Sequence, residues 1–305
     1  MKSADRTLIE PGDQIGIIAP SGAFKKVRLV SAIKYFEKAG YKVKLGNYIY
    51  HFDRYLAGSA QNRVQDLHMM FRSKSIKAIF SARGGYGATQ MLPLINYDLI
   101  KNNHKPLFGF SDTTALQIAL FEKAKLPTIS GLSLCSDFTP KGSNDMTRNS
   151  LENFIQTSNF DTFQLKANKK HLEIKGKITG GCLTLVSALC GTAFQATLKN
   201  RILVLEDVKE EPYHVDRMLT QLSQQKDFHL LKGIIFGNFH ECNAENPKHG
   251  SLETVLHKFA KSISIPVFYN LPYGHQNARC QIPIGLEATI NKSSRLSFSR
   301  FKINK

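Results

Sequence analysis

Closely spaced cysteines are absent from the sequence. The chain has five cysteines, and no two of them form a Cys-x-x-Cys pair; they are Cys135, Cys182, Cys190, Cys242 and Cys280. Scattered thiols in odd number predict neither a disulfide framework nor a zinc cluster. We therefore expect free thiols and a reducing compartment.

Long apolar runs are also missing. No segment approaches the roughly 18 consecutive apolar residues that a membrane-spanning helix needs. Residues 1–6 contain no apolar stretch of the kind that forms the core of a signal peptide. The sequence therefore predicts a soluble, cytoplasmic protein without a membrane span.

Acidic residues are scarce relative to basic ones. Lys and Arg number 41 against 24 Asp and Glu, which gives a formal net charge of +17 at pH 7. Such a charge attracts nucleic acid, anionic membranes and acidic substrates alike. The basic residues are scattered, and their densest groups, at 25–26, 166–177 and 295–305, lack the interleaved aromatic residues that stack on bases. We favour a solvated surface, or one suited to an acidic small substrate; a polyanion-binding protein without catalysis is the alternative.

Length and apolar periodicity predict two α/β domains. A chain of 305 residues with 42% hydrophobic residues is long enough for two ordinary cores. In its first part, strand-like apolar runs at 15–18, 41–45 and 76–81 alternate with helical patterns at 29–36 and 60–71. This β-α-β-α-β order predicts a parallel sheet covered on both faces.

The pattern weakens between about residues 140 and 170, where we place the domain boundary. Beyond it, strand-like runs again alternate with helical patterns, and residues 286–301 alternate like edge strands. We expect an N-terminal α/β domain with a parallel sheet over residues 1–160. We expect a C-terminal α/β domain with a mixed or partly antiparallel sheet over residues 170–305.

Two loops that follow strands of the first half hold residues suited to chemistry. They are the Arg-Gly-Gly-Tyr-Gly segment at 83–87 and the Gly-Phe-Ser-Asp segment at 109–112. Because the carboxyl ends of parallel strands gather at one edge of a sheet, both loops are expected there. Ser111 lies between a strand and a helix, so its hydroxyl should project from a tight turn at the positive end of that helix. The amide of Asp112 would then face a developing oxyanion.

The motif evidence for Ser111 leaves two interpretations open. Thr113 stands where the Gly-x-Ser-x-Gly pattern has its second glycine, and a Ser-Asp pair before a helix is also a common helix cap. Gly85 is the candidate for a second oxyanion donor, although glycines in tight turns are common. The 83–87 loop has neither the Gly-x-Gly-x-x-Gly nor the P-loop pattern, so no nucleotide cofactor is predicted.

Five motifs occur in the order found in one known family. They are Ala19-Pro20-Ser21-Gly22, Tyr55-Leu56-Ala57-Gly58, Ala82-Arg83-Gly84-Gly85-Tyr86-Gly87, Gly109-Phe110-Ser111-Asp112-Thr113-Thr114-Ala115-Leu116, and Leu205-Glu206-Asp207-Val208 followed by Glu211-Pro212-Tyr213 and Asp216-Arg217-Met218-Leu219. From about residue 12 to about residue 290 the chain resembles the LD-carboxypeptidases, serine peptidases that include microcin C immunity proteins. In that family the nucleophile lies in the Gly-x-Ser-Asp turn, the acid in the Leu-Glu-Asp motif and the histidine in a Gly-His segment. The resemblance places these roles on Ser111, Glu206 and His275.

The residue pattern is compatible with that assignment. Glu206 follows the apolar run 202–205 and is expected at a carboxyl edge, and His275 lies in a loop. His240 is the only other histidine that directly follows a strand-like run, so it remains the alternative base. In a triad the imidazole takes the proton of Ser111, an acyl-enzyme forms, and water hydrolyses it, so no metal or organic cofactor is needed.

The resemblance implies a substrate, a location and an assembly. It implies cleavage of the bond between an L-centre and a terminal D-alanine of a cytoplasmic muropeptide, by a homodimer. No specific nucleic-acid partner is expected, because the basic residues are scattered and lack interleaved aromatic residues. The runner-up is a microcin-type self-immunity hydrolase acting on peptidyl- or aminoacyl-nucleotide amides. A cysteine hydrolase is disfavoured because none of the cysteines occupies an evident strand-to-helix turn.

One position departs from the family pattern. The family usually has Gly-Gly-Asn-Leu, whereas this chain has Gly180-Gly181-Cys182-Leu183. Cys182 cannot replace an amide side chain as both donor and acceptor. The position either alters the substrate pocket or packs as a small residue at a helix start.

Overall fold

The computed structural model describes residues 8–139, 145–170 and 172–302, which form two β-sheets flanked by helices. The strands are β1 (Gln14–Ile18), β2 (Lys42–Leu45), β3 (Ile76–Ser81), β4 (Leu107–Gly109), β5 (Thr128–Ser130), β6 (Phe163–Gln164), β7 (Lys166–Ala167), β8 (Ile174–Cys182), β9 (Arg201–Val208), β10 (Gly233–His240), β11 (Val267–Tyr269), β12 (Ile282–Ile284), β13 (Glu287–Ile290) and β14 (Arg295–Phe298). The α-helices are α1 (Val27–Lys38), α2 (Ala60–Arg72), α3 (Ala88–Met91), α4 (Tyr97–Lys101), α5 (Thr114–Ala124), α6 (Leu134–Asp137), α7 (Asp145–Thr157), α8 (Leu183–Ala188), α9 (Pro212–Ser223) and α10 (Leu252–Ser262). Short 3-10 turns lie at Leu92–Leu94, Ser111–Thr113, Phe228–Leu230 and Pro247–His249.

The first sheet contains the five strands of the N-terminal half and β12 from the C-terminal half, in the order β12-β5-β4-β3-β1-β2. Strands β1 to β5 are all parallel, as the β-α-β alternation predicts. The helices between them follow the apolar spacing: Leu29, Ala32 and Phe36 form the buried face of α1. The side chain of Ser59 caps α2 by accepting a hydrogen bond from the Asn62 N–H at 3.2 Å.

The second sheet is mixed and has the order β6-β14-β13-β8-β9-β10-β11-β7. Strands β8 to β11 form a parallel centre. Strands β13, β14 and β6 extend one side and β7 the other, all in antiparallel pairings. The prediction of a parallel N-terminal sheet and a mixed C-terminal sheet is confirmed.

Helix α5 lies between the two halves of the molecule. Nine of its residues are buried, and Leu116 and Leu120 belong to the same apolar cluster as Leu183 of α8 and Leu205 of β9. A helix that is buried on nearly all sides belongs inside a core rather than on a surface. Because the 3-10 turn Ser111–Thr113 leads directly into α5, this packing fixes Ser111 relative to the second sheet.

The segment between β11 and β12 crosses from the second sheet to the first. β12 closes the edge of the first sheet by pairing antiparallel with β5. Before it crosses, the chain forms a bridge between Gly274 and Asn238 of β10, and the Asn238 N–H donates to the Tyr273 carbonyl at 2.7 Å. His275 directly follows that bridge. It therefore lies where the carboxyl ends of the parallel strands of both sheets meet.

Helices long and apolar enough to span a membrane are not found among the helices of residues 8–139, 145–170 and 172–302. This agrees with the lack of long apolar runs in the sequence.

Candidate active site

Ser111 occupies a strained turn between β4 and α5. Its φ is +63°, in the left-handed region that residues with a Cβ avoid. Such a conformation costs on the order of 1–2 kcal/mol and persists only where the surroundings enforce it. The same strain is a feature of the nucleophile turns of α/β hydrolases, where it exposes the hydroxyl above the sheet.

Hydrogen bonds within and beside the turn enforce this conformation. The Thr113 hydroxyl donates to the Phe110 carbonyl at 2.9 Å, and a Cβ on Gly109 would meet Thr113 Oγ1 at 2.4 Å. Thr113 thus fills space that the absent side chain of Gly109 leaves open. The Asp112 carboxylate accepts a hydrogen bond from the Ala88 N–H at 2.8 Å and joins the turn to the neighbouring loop. Burial raises the pKa of Asp112, and its bond from Ala88 and the charge of Arg63 oppose that rise.

The glycines of the 83–87 loop allow it to approach Ser111 closely. A Cβ on Gly84 would lie 2.8 Å from the Ser111 Cβ and 3.1 Å from its Oγ. Gly85 lines the same pocket as Ser111 and has a φ of +108°, which favours glycine. Its N–H has no acceptor among the residues that the structure describes. This loop therefore leaves backbone, not side chain, beside the hydroxyl.

Replacing Gly84 by alanine is expected to displace Ser111 without unfolding the protein. The added methyl would overlap Ser111, and a displacement of about 1 Å at a reacting atom costs about 100-fold in rate. Steady-state kinetics would measure the loss in kcat. Gly233→Ala is the matched control, because its Cβ would meet Phe268 at an ordinary 3.4 Å. Equal activity of the two variants would contradict the close approach.

His275 meets Ser111 across the two halves of the chain. Its Nε2 lies 2.9 Å from Ser111 Oγ, and the two residues are 164 positions apart in sequence. Gly274 precedes it with a φ of +146°, and a Cβ there would lie 2.5 Å from the Asn238 carbonyl oxygen. The ring also packs on Phe110 at a centroid distance of 4.6 Å. Backbone bridge and ring contact together hold the imidazole over the hydroxyl.

Glu206 completes a hydrogen-bonded chain of three side chains. Its Oε2 lies 2.7 Å from His275 Nδ1, and the residue is 0% exposed. The sequence predicts that Glu206 follows a strand, whereas β9 continues to Val208 and places Glu206 inside the strand. Burial raises the pKa of Glu206, and the hydrogen bond and charge of His275 oppose that rise. An acid, an imidazole and a hydroxyl in this order can activate the hydroxyl as a nucleophile.

A pocket of about 250 Å³ opens in front of Ser111. Its lining is rich in arginine and small polar side chains and consists of Arg28, Arg83, Gly84, Gly85, Phe110, Ser111, Ser133, Cys135, Ser136, Asp137, His275, Asn277 and Arg279. The pocket is therefore suited to a small anionic group next to the hydroxyl.

Arg279 is a site residue that the sequence reasoning missed. It is 4% exposed, forms an ion pair with Asp137 of α6, and donates from Nε to the Gly131 carbonyl at 2.9 Å. Its Nη1 donates to the Gln276 carbonyl at 2.9 Å, next to His275. Arg279 thereby ties the crossing segment to the first half of the chain. A basic residue in a loop gives no sequence signal for this role.

The other candidate residues lie elsewhere. The side chain of His240 is 43% exposed, and its Nε2 lies 3.4 Å from Glu241 Oε1. Cys182 ends β8 and directly precedes α8, so the expectation that no cysteine lies at a strand-to-helix turn is wrong. Its side chain is buried there; its N–H donates to Thr114 Oγ1 at 3.2 Å and its thiol to Asp207 Oδ1 at 3.5 Å. Cys182 is not part of the pocket lining, so its position fits the helix-start interpretation.

Thiol alkylation is expected to leave activity intact. Cys135 is the one cysteine among the pocket-lining residues, and burial raises its pKa to about 12, so the reactive thiolate is scarce at neutral pH. Iodoacetamide at pH 7.5, followed by kinetics and intact mass, would test this. Unfolded protein is the control, since its thiols are accessible. Inactivation that parallels alkylation of Cys135 would contradict the expectation.

Metal-ligand clusters of three or more His, Cys, Asp or Glu side chains are not found within the ranges that the structure describes.

The chain is similar to known proteins over most of its length. Residues 15–131 match the description "LD-carboxypeptidase N-terminal domain" and residues 175–290 match "LD-carboxypeptidase C-terminal domain". The chain is 32% identical over 291 residues to a probable murein peptide carboxypeptidase of Bacillus subtilis, covering 94% of this chain and 91% of that protein. It is 30% identical over 298 residues to a murein tetrapeptide carboxypeptidase of Pseudomonas aeruginosa, covering 94% and 96%. A solved MccF-like protein from Bacillus anthracis superposes with a TM-score of 0.86 at 28% identity, covering 97% of this chain and 99% of that one. The chain belongs to the LD-carboxypeptidase family and is a serine-type carboxypeptidase.

Proposed function

We propose that the enzyme releases the terminal D-alanine of muropeptides by cleaving the amide bond between that residue and an L-centre. The observation that carries the proposal is the continuous chain from Ser111 Oγ through His275 to buried Glu206, at 2.9 and 2.7 Å, beside an arginine-rich pocket. The substrate is taken from the relatives, two of which are named for murein peptides. Such a peptide ends in a carboxylate, which suits the charge of the pocket.

In the first step, His275 Nε2 accepts the proton of the Ser111 hydroxyl as its oxygen attacks the amide carbonyl. A tetrahedral intermediate forms, and its carbonyl oxygen becomes an oxyanion. Glu206 holds the imidazole by its Nδ1 and stabilises the positive charge that the ring acquires. The low exposure of Glu206 strengthens this interaction because little water screens it.

The backbone amides of Gly85 and Asp112 are assigned to the oxyanion. Gly85 lines the pocket beside Ser111, and Asp112 is the middle residue of the 3-10 turn Ser111–Thr113. Each such donor lowers the barrier by about 3 kcal/mol in other hydrolases. The bond between the Asp112 side chain and Ala88 fixes these two backbone segments relative to each other.

In the second step, His275 returns its proton to the leaving amine, and D-alanine departs while the peptide remains as an ester on Ser111. Water then attacks this ester with His275 again acting as base, and the free acid leaves. The net reaction consumes one water for each amide bond and needs no redox partner.

Incubation of the purified enzyme with murein tetrapeptide tests this proposal. We expect stoichiometric release of D-alanine, measured by chromatography of the derivatised amino acid, together with the tripeptide. A fully folded enzyme that releases no D-alanine from this peptide would contradict the proposed substrate.

A second candidate is hydrolysis of an aminoacyl-nucleotide amide in self-immunity. The likeness to the MccF-like protein of Bacillus anthracis favours testing it. Turnover of an aminoacyl-nucleotide with no release of D-alanine from murein tetrapeptide would select this function over the first.

Location and assembly follow from the proposed function. An enzyme that recycles muropeptides taken into the cell would act in the cytoplasm, and the family resemblance implies a homodimer. Cell fractionation with an antibody and sedimentation of the purified protein at several concentrations test these two points.

A further inference from the structure

Two of the three arginines in the pocket carry uncompensated charge. Arg279 is neutralised by Asp137, and two of its remaining donors are taken by the carbonyls of Gly131 and Gln276. Arg83 and Arg28 form no ion pair with any residue in the described ranges. A pocket that concentrates unpaired cations beside a nucleophile is built to take an anion.

The guanidinium of Arg83 is held by a backbone carbonyl in the pocket that Ser111 also lines. Its Nη1 donates to the Ala23 carbonyl at 2.8 Å, which leaves its other edge available. Its Nη2 lies 3.4 Å from the position that a Cβ on Gly85 would occupy. The next residue, Gly84, has no side chain and therefore leaves room for the Ser111 hydroxyl. The Arg83 side chain is thus anchored next to the proposed oxyanion donor Gly85, in the same pocket as the nucleophile.

Arg28 belongs to a different element from Arg83 but lines the same pocket. It is exposed on the first turn of α1 and lines the pocket together with Arg83. Burial raises the pKa of the Cys135 thiol, and the charges of both arginines oppose that rise, so both act on this wall of the pocket. Arg83 is the less exposed of the two, so solvent and salt screen its charge less.

In the proposed reaction, the residue that leaves carries a free carboxylate separated from the scissile nitrogen by a single carbon. This carboxylate must therefore lie within one residue of Ser111 when the amide is attacked. We infer that Arg83, assisted by Arg28, binds the C-terminal carboxylate of the substrate and thereby restricts the enzyme to the last residue of the peptide. This inference rests on the proposed function and names its specificity-determining residue.

Binding to the Ser111→Ala protein tests this inference without turnover. The probes are murein tetrapeptide with its terminal carboxylate and the same peptide as the C-terminal carboxamide, and calorimetry measures both dissociation constants. A charge-assisted, bidentate contact predicts about 30-fold tighter binding of the acid than of the amide. Adding Arg83→Gln should reduce this ratio to about 3-fold or less by weakening only the acid, and Arg28→Gln should reduce it by about 3-fold.

Arg72→Gln is the matched control, because Arg72 is exposed at the end of α2 and does not line the pocket. It should leave the acid-to-amide ratio unchanged. A ratio that survives Arg83→Gln, or equal affinities of the two probes for the Ser111→Ala protein, absence of binding included, would overturn the inference. Failure of the proposed function shows separately, as absence of D-alanine release by the wild-type enzyme.

Discussion

Replacing Ser111 by alanine should reduce kcat/KM by about 10⁵-fold while the protein stays folded. The hydroxyl is the group that His275 Nε2 contacts at 2.9 Å, and no second nucleophile is needed to explain the arrangement. Kinetics with murein tetrapeptide measure the loss, and circular dichroism verifies the fold. Wild-type activity in Ser111→Ala would contradict the role of this residue.

Ser111→Gly is a sharper companion to Ser111→Ala. Both variants lack the hydroxyl and should be equally inactive. However, alanine retains the cost of a φ of +63°, whereas glycine adopts this conformation freely. Ser111→Gly should therefore have a free energy of unfolding about 1 kcal/mol higher than Ser111→Ala, as measured by urea denaturation. Equal stabilities would contradict the strain assigned to this turn.

Replacing Glu206 by glutamine should separate activity from stability. Loss of the carboxylate that orients and stabilises the imidazole is expected to lower kcat by about 10³- to 10⁴-fold. The shape of the side chain is kept, so the fold should persist. Kinetics at a pH near 8 measure this effect, and an active Glu206→Gln enzyme would contradict the assignment of Glu206.

Glu206→Gln should lower activity, but its stability relative to wild type should increase as the pH rises. Because burial raises the pKa of Glu206 above its ordinary 4.5, the folded state binds the proton more tightly than the unfolded state does. The stability that this proton contributes is present below the ordinary pKa and is lost as pH rises through the raised value. The free energy of unfolding of Glu206→Gln relative to wild type should therefore increase from pH 5 to pH 8. A relative stability that falls over this range would contradict the direction of the shift.

Asp207→Asn provides the contrast at the next position of β9. The Asp207 carboxylate is also buried, but it accepts hydrogen bonds from the N–H and the hydroxyl of Thr184 and from the Val208 N–H. In Asp207→Asn, the amide NH₂ group would face one of these hydrogen-bond donors, and that hydrogen bond would be lost. Asp207→Asn should therefore lower the free energy of unfolding. This loss would show that the Asp207 carboxylate has a structural role, unlike the Glu206 carboxylate.

The sequence predicts the fold well where periodicity is local. The helical spacing of Leu29, Ala32 and Phe36 and the cap at Ser59 set the first α/β units, and the alternation of elements sets the parallel sheet. The crossing segment and the addition of β12 to the first sheet are not predictable in this way, because a strand of three residues carries little pattern and its partner β5 is far away in sequence.

In the site, too, some features have a local sequence pattern and others do not. The turn at Ser111 has a local signal, whereas the choice of His275 over His240 relies on the family resemblance, since both follow comparable loops or strands. The distance from Ser111 to His275 is set by packing of α5 and by the Arg279–Asp137 pair, and neither is visible as a motif. Cys182 has the opposite relation between motif and site: it departs from a family motif, yet it lies at a helix start rather than in the pocket.

Covalent labelling tests the central claim most directly, namely that Ser111 is a nucleophile activated by His275. The enzyme would be treated with an organophosphonate directed at active serines and analysed by intact mass and peptide mapping. We predict one adduct per chain, on Ser111, which is lost in Ser111→Ala and strongly slowed in His275→Ala. An adduct on another residue, or labelling at an unchanged rate without His275, would contradict the claim.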